Sequence, residues 1–246
     1  MGSRPKDLGE HDPGYAALPV IEDSDSGWGS RRLAIKLRTR RGRSPASQRW
    51  LTRQLNDAYV QAAREQGWRS RAAFKLLELD DRFHLIRRGC RVVDLGAAPG
   101  GWTQVAVKRG AGKVVGIDLL PVEAVPGATL LQGDFLDPEA ASRLRAALGG
   151  EADLVLSDMA PNTTGHAATD HLRIMALAEA AYDFAIQVLA PGGFFVAKVF
   201  QGGAERSMLA AMKRRFATVR HAKPPASRKE SSELYVVACG FRGQPS

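Results

Sequence analysis

Two cysteines among 246 residues, Cys90 and Cys239, are too few for a disulfide framework or a thiolate metal site. Each lies beside or within an apolar run, so both read as small buried residues of a protein kept in a reducing cytoplasm. No apolar stretch approaches the ~20 residues of a membrane span. Asp7, Glu10 and Asp12 interrupt the N-terminal region where a secretory signal would carry its apolar core. A soluble cytoplasmic protein is therefore expected. The one glycine-rich turn, Gly96-Ala97-Ala98-Pro99-Gly100-Gly101, also lacks two things. No Lys-Ser or Lys-Thr pair follows Gly101, so it is poorly equipped to hold a triphosphate, and the third glycine of the dinucleotide spacing is missing.

Positive charge is what the chain has in excess. The net charge of +9 points to a polyanionic partner, nucleic acid or a membrane surface, with a solvated basic face as the plain alternative. The charge is unevenly spread. Residues 1–30 carry Asp7, Glu10, Asp12, Glu22, Asp23 and Asp25 against Arg4 and Lys6, with scattered Gly, Pro and Ser. Such a segment buries too little apolar surface to offset chain entropy and reads as a disordered acidic tail. Residues 31–46 form a basic arm, in which Arg31, Arg32, Lys36, Arg38, Arg40, Arg41 and Arg43 stand with no acid among them. That arm suits phosphates, whose neutralisation releases counterions. Residues 47–246 form the folded domain.

Within that domain, helical spacing predicts one helix over Ser47–Glu65 and a second, capped by Ser70, carrying Ala73, Phe74, Leu76, Leu77 and Leu79 inside. Val92-Val93-Asp94-Leu95 reads as a buried strand leading into the glycine turn, where a Cβ would occupy a ligand's place. Further strands are expected at Lys113–Asp118, Ala128–Gln132, Ala152–Ser157 and Phe194–Phe200, the last reached through a Pro191-Gly192-Gly193 turn. Helices are expected over Pro138–Leu148, from the polar loop Thr163–Asp170 to Leu189, and over Ala204–Arg214. Two late strands, Ala217–His221 and Glu233–Cys239, suggest an antiparallel hairpin. This alternation predicts an α/β Rossmann-like fold: a mostly parallel seven-stranded sheet with helices on both faces.

Ligands of such sheets bind beyond the carboxyl ends of the strands, and four acids stand there in order: Asp94, Asp118, Asp134 and Asp158. Singly, each reads more readily as a turn or cap residue. Together, beside the glycine turn, they point to a nucleoside ligand, with Asp118 on ribose hydroxyls and Asp134-Phe135 on an adenine edge and face. NAD and S-adenosylmethionine both remain open, the missing third glycine favouring the second. Lys198 closes the apolar run Phe194-Phe195-Val196-Ala197, where a lysine is costly to bury. Burial beside another cation turns an ammonium into a usable base, whereas a snorkelling lysine is the plain alternative.

Five blocks in order then carry a family resemblance. They are Ser-Arg-Ala-Ala-Phe-Lys-Leu at 70–76, Asp-Leu-Gly-Ala-Ala-Pro-Gly-Gly-Trp at 94–102, Ser-Asp-Met-Ala-Pro-Asn at 157–162, Lys-Val-Phe-Gln-Gly at 198–202 and Ser-Ser-Glu-Leu-Tyr at 231–235. Together they resemble the FtsJ/RrmJ-type ribose 2′-O-methyltransferases over Ser47 to Gly240, and residues 31–43 are similar to the basic arm of some members. Residues 1–30 are not covered. The resemblance implies an S-adenosylmethionine-dependent methyltransferase fold for residues 47–246, with Lys75, Asp158, Lys198 and Glu233 as the catalytic tetrad. It also implies Lys198 as proton acceptor, no metal, and cofactor contacts at Gly100, Trp102, Asp118, Asp134 and Asp158. The implied substrate is an A-loop uridine of 23S ribosomal RNA within the 50S subunit, and the implied state is a monomer. Gln201-Gly202-Gly203, followed directly by Ala204, departs from the longer or more acidic turn of many members and puts the local RNA contact in doubt. The rivals are a transfer-RNA 2′-O-methyltransferase and a non-enzymatic ribosome-assembly factor, which would have no need of both lysines.

Overall fold

The structure, a computed structural model, describes residues 57–161, 164–200, 206–228 and 230–243. The acidic tail, the basic arm, residues 47–56 and the turn at 201–203 lie outside them. The elements run α1 (Ala58–Glu65), α2 (Ala72–Phe83), β1 (Arg91–Leu95), α3 (Gly101–Lys108), β2 (Lys113–Asp118), β3 (Ala128–Gln132) and α4 (Ala140–Leu148). They continue with β4 (Ala152–Ser157), α5 (Ala167–Val188), β5 (Leu189–Phe200), α6 (Arg206–Arg215), β6 (Phe216–Ala222) and β7 (Glu233–Phe241). The sheet has seven strands in the order β3-β2-β1-β4-β5-β7-β6. The first five are parallel, and β7 runs antiparallel to both β5 and β6.

The two faces of the sheet explain where the chemistry sits. Successive strand residues point to opposite faces. Val93, Leu95, Val115, Ile117, Val155, Ala197 and Val199 pack with Leu144, Leu148, Ala181, Ala185 and Met212 of α4, α5 and α6 in one buried core. Full burial of each such leucine or valine contributes about 1.5–3 kcal/mol. The alternate residues, Asp94, Val196 and Lys198, therefore face the other way. There Asp94 meets Thr103 of α3, and Tyr235, the register partner of Lys198, stacks on Trp102 with ring centroids 5.7 Å apart. Among the described residues no helix is long and apolar enough to cross a membrane.

Three local expectations change. The helix expected over Ser47–Glu65 has its cap at Asp57, whose extended backbone (φ −81°, ψ 115°) and side chain, accepting from the Tyr59 N–H, start α1 at Ala58. Ser70 does not cap α2: the N-cap is Arg71, without a side-chain bond, and the buried Ser70 hydroxyl lies against Gly101. The polar loop before α5 is shorter than expected, because His166 caps that helix from the Thr169 N–H. The late strands form the expected antiparallel hairpin, and β7 is the member that pairs with β5. Burial accounts for the order: Tyr235 to Ala238 are fully enclosed and need neighbours on both sides, whereas β6 is mostly exposed and serves as an edge.

Candidate active site

Lys75, Asp158, Lys198 and Glu233 come from α2, the tip of β4, the carboxyl end of β5 and the start of β7, and they form one connected chain of charges. Lys198 Nζ lies 2.9 Å from Asp158 Oδ1 and donates to the Asp158 carbonyl at 2.8 Å. Lys75 Nζ lies 2.7 Å from Glu233 Oε1 and 3.8 Å from Asp158 Oδ1. A lysine only 8% exposed is tolerated in the sheet because these partners replace its water. The two ammonium groups thus share a carboxylate oxygen, and the four side chains balance electrically.

Tyr235 ties the group together and was not among the residues singled out from sequence. Its hydroxyl donates to Asp158 Oδ1 at 2.6 Å and accepts from Lys75 Nζ at 3.0 Å. Burial, then the charges of Asp158 and Glu233, hold that hydroxyl well above the ordinary phenol range, so it keeps the proton it donates. The available signal was period two on β7, which sets Tyr235 on the same face as Glu233. Ser227 Oγ adds a bond to Glu233 Oε1 at 2.9 Å. For Asp158, burial pushes the carboxyl up, but Lys198, Lys75 and the Tyr235 bond outweigh it and leave it below the usual carboxylate range.

Two cavities adjoin this chain. One, of about 490 Å³, opens at the tips of β1, β2 and β4 and beside the turn after β3, with Gly96, Asp118, Asp134, Phe135 and Asp158 in its wall. The other, of about 460 Å³, is lined by Lys75 and Glu233 together with Arg71, Arg228, Glu230 and Ser231. Asp158 faces the first and its partner Lys75 faces the second, so the tetrad forms part of the partition between them.

The strand-end acids combine both roles weighed from sequence. Asp118 accepts the Ala98 N–H at 2.9 Å and the Leu120 N–H at 2.8 Å, and Asp134 accepts the Leu136 N–H at 2.9 Å; all three bonds fix turns, yet both acids line the larger cavity. Ile117, Leu119, Leu120 and Leu136 supply its apolar walls. Gly100 and Trp102 do not line it. A Cβ on Gly100, where φ is +107°, would meet Arg69 Nη1 at 2.8 Å, and one on Gly96 would collide with the Met159 side chain. Both glycines serve the close approach of chain to chain, and of the two only Gly96 also borders the larger cavity. Trp102 is buried, donates to the Ala72 carbonyl at 2.7 Å and backs Tyr235. Arg69, also missed from sequence, donates to the carbonyls of Pro99 (3.2 Å), Glu123 (2.6 Å) and Ala124 (2.7 Å), tying the glycine turn to the β2–β3 loop.

Asp94 lies beneath the glycine turn, 1% exposed, accepting from Thr103 Oγ1 at 2.6 Å. Burial, opposed by that bond and reinforced by the charges of Asp158 and Asp118, pushes its carboxyl up to about 7. Because the folded-state value exceeds the unfolded one, Asp94 stabilises the fold fully below about pH 4, and this contribution is lost as pH rises through about 7. Asp94→Asn is expected to flatten the decline between pH 5 and 8, which is on the order of 3 kcal/mol at most. Urea unfolding at both pH values checks this; parallel losses in the two proteins would contradict it.

Comparison with known proteins identifies the family. Residues 68–241 match the family model described as FtsJ-like methyltransferase. A relative named Ribosomal RNA large subunit methyltransferase E from Gluconobacter oxydans is 70% identical over 220 residues, covering 89% of this chain and 82% of its own. A relative of the same name from Granulibacter bethesdensis is 72% identical over 214 residues, covering 87% of this chain and 93% of its own. A solved structure described as a ribosomal RNA methyltransferase, from Plasmodium falciparum, superposes with a TM-score of 0.65 at 28% identity, over 72% of this chain and all of its own. With the family model spanning well over half its length, this chain belongs to the FtsJ-like methyltransferases.

Proposed function

We propose that the protein methylates the 2′-oxygen of a uridine ribose in the A-loop of 23S ribosomal RNA, within the large subunit, using S-adenosylmethionine, a lysine base and no metal. The observation that carries this is the tetrad standing between two cavities, one suited to a nucleoside and one whose wall carries Arg71, Lys75 and Arg228 beside Glu230 and Glu233. The names of the two relatives support large-subunit RNA as the substrate class, and the family resemblance supports the ribose and the A-loop.

The larger cavity fits the methyl donor. Asp118 and Asp134 keep carboxylate lone pairs for ribose hydroxyls and an adenine amine, and the apolar wall suits the faces of a purine. Asp158 lies at the same cavity's edge, where it meets the tetrad. Gly100 and Trp102 act indirectly, through Arg69 and Tyr235. When bound, S-adenosylmethionine supplies a methyl group on a sulfonium leaving group, so the protein's tasks are alignment and removal of one proton.

Lys198 takes that proton from the ribose 2′-hydroxyl. Asp158 holds the Lys198 amine through both its carboxylate and its carbonyl, leaving one direction for the substrate. Lys198 enters this step as the free amine and leaves it as the ammonium, whose charge the Asp158 carboxylate then offsets. Lys75, held by Glu233 and Tyr235, stabilises the developing alkoxide.

Transfer of tritiated methyl to 50S particles, transfer RNA and a free hairpin tests the reading. Label is expected in the 50S particles; label in transfer RNA alone, or in none, would overturn it. The basic arm is proposed to hold RNA phosphates. Removing residues 1–43 is expected to weaken RNA binding at least about tenfold and to flatten its salt slope by about 0.7 for each single-strand phosphate no longer neutralised. Donor affinity, measured by calorimetry, should not change. Unaltered RNA binding would assign the arm another purpose.

A further inference from the structure

One carboxylate outside the tetrad organises the smaller cavity. Asp57 Oδ2 lies 2.8 Å from Arg71 Nη1 and 3.4 Å from Arg228 Nη2, so a single oxygen holds two guanidinium groups in the wall that also carries Lys75 and Glu233. Arg71 is largely committed: it also donates to the Ala226 carbonyl, and its plane lies over the Tyr59 ring at 5.6 Å. Its buried Nε has no hydrogen-bond partner among the described residues. Among the described residues Arg228 spends only Nη2, and its side chain keeps 26% of its surface exposed at the cavity. The segment carrying it is pinned to α2, because Ala226 N–H donates to Glu78 Oε2 at 2.7 Å.

Resting on the proposed ribose chemistry, the geometry points to a phosphodiester seat: Arg228 contacts a phosphate flanking the acceptor ribose, and Asp57 is the positioning residue that aims it. A ribose placed against Lys75 and Glu233 carries a phosphate on each side. A fixed, planar guanidinium in the same wall presents donors in the fork that matches phosphate oxygens. Glu230 and Glu233 in the wall repel an anion, so the seat depends on where Arg228 is held and not on bulk positive charge.

This leads to an outcome opposite in sign to simple electrostatics. Removing an acid near a polyanion site should tighten binding and steepen its salt dependence. Removing Asp57 should instead loosen binding. Asp57→Asn keeps the helix cap, since asparagine caps as well as aspartate, but no longer holds two guanidinium groups by charge. Arg228→Gln removes the proposed phosphate donor itself.

The experiment measures binding, without donor, of the full-length protein to a hairpin RNA carrying the acceptor uridine. Parallel hairpins carry a single neutral methylphosphonate on either side of that nucleotide. Both variants are expected to bind the natural hairpin about 10- to 100-fold more weakly, with unchanged donor affinity and melting temperature. On one of the two methylphosphonate hairpins the wild-type protein should fall to the level of the variants, and the variants should weaken no further. Wild-type-like or tighter binding by Asp57→Asn, an undiminished Arg228→Gln effect on both modified hairpins, or no binding by the wild type would overturn the seat. Methyl transfer by the wild type is scored separately, so failure of the chemistry and failure of the seat are distinguishable.

Discussion

Lys198→Ala is expected to lower single-turnover methyl transfer by about 1,000-fold or more, with S-adenosylmethionine affinity within about twofold of wild type. The separation follows from position. Lys198 lies on the face of β5 turned toward α2 and α3 and contacts Asp158, but is not in the wall of the larger cavity. The substitution also leaves the fold largely intact, because Asp158 keeps Tyr235 and Lys75. Lys198→Arg should fail as badly as alanine, since a guanidinium does not give up its proton. Near-normal turnover in either variant would remove Lys198 from the role of base.

Asp158→Asn is expected to damage more than one quantity at once. Asp158 faces the larger cavity, accepts a hydrogen bond from the Tyr235 hydroxyl at 2.6 Å and neutralises two buried ammonium groups. Losing its charge leaves Lys198 without a carboxylate among the described residues, a kind of change that costs about 3–5 kcal/mol when a buried pair is broken. Turnover should fall about 100-fold or more and thermal stability should drop with it. Glu233→Gln should be milder in both, because Lys75 retains Asp158 and Tyr235. Stopped-time methyl transfer and calorimetric melting on the two variants check the ranking. Equal effects would show that Asp158 is not the hub of the tetrad. The acid limb of wild-type stability carries the same signature: with its carboxyl held low, Asp158 stabilises the fold above about pH 4 and ceases to do so as pH falls below it.

What could be read from the chain depended on range. Strand positions and the strand-end acids are local patterns, and β1, β2, β3 and β4 fall where apolar runs and turn residues put them. The tetrad was legible because its four blocks each carry a distinctive neighbourhood, although nothing local says that Lys75 and Glu233 meet at 2.7 Å across 158 positions. Tyr235 was harder to see, since a tyrosine in a valine-rich strand looks like packing until its hydroxyl is traced to Asp158. The insertion of β7 between β5 and β6 is a nonlocal choice driven by its buried length. The glycine turn taught the opposite lesson: its glycines were correctly placed, but the atoms that crowd them belong to Arg69, Ser70 and Met159. Asp57 shows how one extended, capping side chain can set a helix start inside a span that helical spacing alone reads as continuous.

The most direct measurement is the chemical position of the transferred methyl. Large-subunit RNA from a reaction with the purified protein would be digested to nucleosides and resolved by mass spectrometry. A tetrad that takes a proton from a sugar hydroxyl predicts 2′-O-methyluridine as the labelled product, absent with Lys198→Ala. A methyl group found on a base ring, or ribose methylation that persists without Lys198, would contradict it.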